Sequence, residues 1–191
     1  MKNYLQDLSK AILSLEPNGI SKVRLAKVIY FVHKYLVQKG AVNSQELMFI
    51  RMPLGPVPVG YRSLKGDSDI EVEILKHGLT LLYDSQMYKV KEGFSSDLDF
   101  IKLIEQAYFS LKSYPTSELV SMSHEEPSWK NYSNGDEYYL STEDLKISTP
   151  VLTKATKSDA TLEKQKLQAE LVTGMLDEIV DDSTGLEYPD K

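Results

Sequence analysis

The sequence contains no cysteine. That absence excludes disulfides, thiol nucleophiles, thiolate zinc sites and cysteine-bound iron–sulfur clusters, and it agrees with a cytoplasmic location. Histidine is scarce as well. His33, His77 and His124 lie far apart in the chain, so neither a metal site built mainly from imidazoles nor any other cofactor is expected. No stretch approaches the roughly 18 apolar residues of a membrane span. Gln6, Asp7 and Lys10 interrupt the region where a signal peptide would carry its apolar run. Glycine-rich phosphate loops and a Gly-x-Ser-x-Gly nucleophile turn are missing too. The position four after His124 is Ser128, so His124-Glu125 does not open a zinc-protease helix. Nothing in the residue pattern assembles a nucleophile, a base and a group to orient them.

What remains is ordinary in bulk. Of 191 residues, 41% are hydrophobic and 26% charged, enough to build a core without metal or staples. Charge is uneven. Residues 1–140 hold 16 Lys and Arg against 17 Asp and Glu, whereas residues 141–191 hold 6 against 11. This suggests a near-neutral domain over 1–140 and an acidic linker with a helix over 141–191. Nucleic acid, which selects clustered positive charge, is not the expected partner. Lys22, Arg24, Lys27, Lys34 and Lys39 share one early segment, and their simplest reading is a solvated helix face.

Periodicity predicts the elements. Leu5, Leu8, Ile12 and Leu13 mark a helix over 3–15, broken by Pro17-Asn18-Gly19. A second helix should run from Ser21, as N-cap, to Lys39, with Gly40 as its stop. Its apolar stripe is wide enough for a central position. Residues 47–52 suit a short strand. The Gly55-Pro56 turn should feed a short helix over 57–65. Residues 70–91 suit a small antiparallel sheet with strands at 70–76, 79–83 and 87–91 and a turn at 84–86. Helices are expected over 97–112, from Thr116 as cap, and over 127–132. Residues 141–160 read as linker, and 161–180 as an amphipathic helix. The expected fold class is therefore α+β, mainly α, with a helical core, a small antiparallel sheet and a C-terminal helical appendage.

Three ordered segments add a family resemblance. They are Lys22-Val-Arg-Leu25-Ala-Lys27-Val-Ile-Tyr30-Phe-Val-His33, Pro53-Leu-Gly55-Pro56-Val-Pro-Val-Gly-Tyr61, and Ser123-His124-Glu-Glu-Pro127-Ser-Trp129. In this order and spacing they resemble the Panacea domain of SocA-like antitoxins over about residues 5–135. Ser123 stands where that family usually has Thr, and Ser128 separates Pro127 from Trp129. The resemblance implies a bacterial or phage toxin–antitoxin protein that binds a cognate protein toxin and performs no catalysis. Neutralisation would come from direct contact or from delivery of the toxin to a protease.

On this reading Leu25, Lys27, Tyr30, His33, Gly55, Pro56, Tyr61, His124, Pro127 and Trp129 hold the scaffold. His33 is expected to hydrogen-bond inside the core, with the His124–Trp129 turn as its candidate partner. Toxin contact is expected from the appendage, through apolar Leu167, Leu171, Met175 and Ile179 and acidic Asp177 and Glu178. Packing of this helix on its own domain, or a homodimer through it, stays open. So does a metal-dependent hydrolase built on His33, His124 and nearby carboxylates.

Overall fold

The computed structural model describes residues 3–76, 84–94, 96 and 98–147. Helix α1 (Tyr4–Leu13) turns Leu5, Leu8, Ile12 and Leu13 inward. After the turn at Pro17–Gly19 a two-residue strand, β1 (Ile20–Ser21), leads directly into α2 (Lys22–Gln38). Ser21 holds the N-cap position, although its side chain makes no capping bond. Nearly every side of α2 is buried, and α1, α3 and α4 all pack on it. It is thus the central helix that the wide stripe predicts. Each large apolar side chain it buries contributes roughly 1.5–3 kcal/mol.

Two three-stranded antiparallel sheets flank this helix. In one, the order is β1, β5 (Asp84–Val90), β4 (Ile70–Lys76), with Ile20 opposite Tyr88 and Val72 also opposite Tyr88. In the other, β2 (Phe49–Ile50) lies between β3 (Val57–Pro58) and β6 (Glu137–Tyr138). Here β2 falls within the strand expected over 47–52, while β3 and β6 are absent from the sequence expectation, because strands of two residues carry no measurable alternation. Pro58 lies on an edge strand of that sheet, where its missing N–H costs nothing. A 3-10 helix of six residues follows (Tyr61–Gly66) in place of the helix expected over 57–65.

Residues 84–86 are strand, not turn, with Gln86 opposite Ile74. The strand expected over 79–83 lies outside the described residues. Helix α3 (Ile101–Leu111) begins four residues later than expected. Helix α4 (Thr116–His124) has Pro115 at its N-cap and Thr116 already inside, since Pro115 fixes the extended entry. Helix α5 (Pro127–Asn131) starts on Pro127 as expected.

The first residues of the expected linker are ordered and packed. Helix α6 (Thr142–Lys146) opens with a capping box between Ser141 and Asp144. Gln38 at the end of α2 donates through Nε2 to the carbonyls of Leu145 and Ile147, at 3.0 and 2.8 Å. The architecture is α+β, mainly α. The helix expected over 161–180 lies outside the described residues, with Leu167, Leu171, Met175, Asp177, Glu178 and Ile179.

Candidate functional site

Lysine on an all-round buried helix is the feature that organises this protein. Lys22, Lys27 and Lys34 are all buried, Lys34 completely, and Lys39 alone of the four lysines is exposed. The solvated basic face expected over Lys22–Lys39 therefore does not exist. Arg24 is also committed: its guanidinium donates to the carbonyls of Tyr114 and Lys112 (2.6 and 3.1 Å), capping the end of α3.

Lys27, Tyr30 and Lys34 recur at i, i+3 and i+7, which sets them on one stripe of α2. The other motif segments close over that stripe. At its N-terminal end the Lys27 Nζ donates to the Pro56 carbonyl at 2.6 Å. Burial pushes the Lys27 ammonium down to about 7. Gly55 adopts φ +92°, a conformation open to glycine. A Cβ there would collide with Ser123 Oγ and lie 3.1 Å from Lys27 Nζ. The α2 lysine, the Gly55-Pro56 turn and the end of α4 thus converge on one point. Ser123 Oγ itself donates to the Val120 carbonyl.

At the other end Lys34 Nζ meets both oxygens of Glu126, at 2.8 and 2.7 Å. Burial lifts the Glu126 carboxyl above the ordinary range, and the Lys34 contact opposes it. Tyr30 lies beside the same carboxylate, and burial with that negative charge raises its phenol strongly. Asp144 closes the seam by accepting from the Ser128 amide (2.9 Å), from the Ser128 hydroxyl, and from the amide and hydroxyl of Ser141. Lys34 and Glu126 thus match charge with charge and Asp144 collects several donors, as a buried polar cluster requires, whereas the Lys27 ammonium meets a backbone carbonyl.

A three-layer stack caps the seam at the surface. His124 lies parallel to Trp129 with ring centroids 3.9 Å apart. The Arg51 guanidinium sits 4.1 Å from the indole centroid. Arg51 also donates to the Trp129 carbonyl at 3.2 Å and to Asn134. The indole N–H reaches the Met52 carbonyl at 3.0 Å. Burial, then the charges of Lys27 and Arg51, holds the His124 imidazole below its ordinary range.

The remaining motif residues stand apart. Leu25 is core. Tyr61 donates to the Lys22 carbonyl at 2.7 Å and packs on Tyr88. His33 does not reach the His124–Trp129 turn. Its Nδ1 pairs with the Tyr4 hydroxyl at 3.0 Å, because one residue before Lys34 is about 100° off the seam's stripe. Burial pushes the His33 imidazole down to about 4. Among the described residues no group of three or more His, Cys, Asp or Glu could hold a metal. His33 and His124, the basis of the hydrolase alternative, have separate partners.

Lys34, Ser123, Glu126, Asp144 and Arg51 are absent from the sequence-derived site. The available signal was the i, i+3, i+7 recurrence of Lys27, Tyr30 and Lys34 within an otherwise apolar helix. Compared with known families, residues 25–130 match the family described as Antitoxin SocA-like, Panacea domain. No curated protein and no solved structure matches the chain.

Proposed function

Because the chain belongs to the family of SocA-like antitoxins with a Panacea domain, we propose that it is the antitoxin of a type II toxin–antitoxin pair and neutralises a cognate protein toxin by direct contact. Membership over residues 25–130 is the observation that carries this reading. The seam supports it: Lys27, Lys34, Glu126 and Asp144 face each other and the backbone rather than solvent. Groups used in that way brace a scaffold and leave its surface to bind. The toxin-contacting residues proposed are Leu167, Leu171, Met175 and Ile179, flanked by Asp177 and Glu178. Acidic groups there would steer a basic partner.

Coexpression with the product of the adjacent open reading frame tests the reading. Relief of that product's growth arrest, with recovery of a stable complex, is the expected result. Persistent arrest with no complex rejects it. Loss of the toxin from the cell through a host protease would assign the adaptor role instead.

A further inference from the structure

A concavity of about 650 Å³ opens at the far end of α2, away from the Lys27 end of the seam. Tyr4, Ala41, Val42 and Phe100 supply apolar wall, and two carboxylates lie on it, that of Glu46 and that of Asp7, which also faces the Lys10 ammonium at 3.8 Å. An apolar cleft with acidic groups selects a basic segment that also carries an apolar side chain. Such a segment begins close by. Gln38, two residues before the cleft's Gly40, holds the Ile147 carbonyl at 2.8 Å, and the chain continues from that point. Residues 154–166 carry Lys154, Lys157, Lys164 and Lys166 against Asp159 and Glu163, with Leu162 among them. The acidic groups of the C-terminal region cluster later, at Asp177, Glu178, Asp181 and Asp182.

We propose that the cleft is the docking site of the chain's own basic stretch, residues 154–166, which lies outside the described residues. Leu162 meets the apolar wall, and lysines of the stretch meet Asp7 and Glu46. Reach is not limiting: residues 148–153 span up to about 20 Å when extended. Affinity need not be high. A short tether gives an effective concentration in the mM range, so a contact with a Kd of about 1 mM is closed about half the time. The docked stretch would fix where the acidic residues beyond it leave the body. This inference does not depend on the antitoxin reading and can fail while that reading stands.

The absence of native cysteine allows a direct test in the full chain. Ser158→Cys carries a nitroxide, and backbone amides are followed by NMR. The amides of Gly40–Asn43 and Phe100 should lose most of their intensity, and reduction of the nitroxide should restore it. Adding Asp7→Asn and Glu46→Gln should abolish the loss, with the buried Tyr30 amide unshifted as evidence of an intact fold. Loss spread evenly over the surface, or unchanged in the charge variant, overturns the proposal. Transfer of the effect to unlabelled chains in a mixed sample also overturns it, by making the occupant a second copy.

Discussion

At the scale of single residues the seam makes sharp claims. Lys34→Met or Glu126→Leu alone strands a buried group without its partner, which costs about 3–5 kcal/mol. The pair Lys34→Met with Glu126→Leu should cost less than either single change, and a double-mutant cycle in urea reads the difference. Lys27 makes a pH prediction. Its folded value of about 7 lies below the ordinary 10.5, so above pH 7 the unfolded chain holds the extra proton. Stability should therefore rise between pH 7 and 9, by about 2 kcal/mol, and Lys27→Met should remove that rise. His33 behaves alike at lower pH. Its folded value of about 4 lies below 6.5, so stability present above pH 6.5 is lost as pH falls toward 4, by up to about 3 kcal/mol. Urea midpoints of His33→Phe should lack that component. Gly55→Ala combines backbone strain with a collision against Ser123 and should cost about 2 kcal/mol or more. Gly40→Ala, with open space around it at φ +68°, bears the strain alone and should cost about 1 kcal/mol.

At the scale of elements, α6 docks through Asp144 as well as through the Gln38 bonds to its C-terminal carbonyls. Asp144→Ala removes the capping box and both bonds to Ser128. Amide exchange at Ser128 and Ser141 should accelerate strongly, while the α1–α2 core stays protected. Long periodic stretches were readable in the sequence. The spacing of Leu5, Leu8 and Ile12 and the breadth of the α2 stripe predict two helices and their order. Pro127 likewise marks its short helix at the first position. Of the second sheet, β2 was readable within the strand expected over 47–52, whereas the two-residue strands β3 and β6 were not, since pairing among distant residues creates them. The start of α6 was hidden for a related reason: its one large apolar residue before Ile147 is Leu145, and the rest of its attachment is polar. In the site, Lys27 and Tyr30 were legible through the family pattern. The roles of Lys34, Glu126 and Asp144 were not, because a buried charged side chain and a solvated one look the same in sequence.

At the scale of the whole molecule, the proposed function separates scaffold from recognition. Variants of the proposed toxin contacts, such as Leu171→Asp with Met175→Asp, should weaken neutralisation while leaving the melting temperature unchanged. Variants of the seam should do the reverse, failing to neutralise only in proportion to the folded fraction lost. Thermal melts and growth-rescue assays run side by side distinguish the two classes.

Trp129 is the single tryptophan of the chain, and it is wedged between an imidazole and a guanidinium. The molecule therefore carries its own optical gauge. A protonated imidazole quenches indole emission, so fluorescence intensity should dim as acid titrates His124, and any protein that lands on this face should change the emission without a dye being attached.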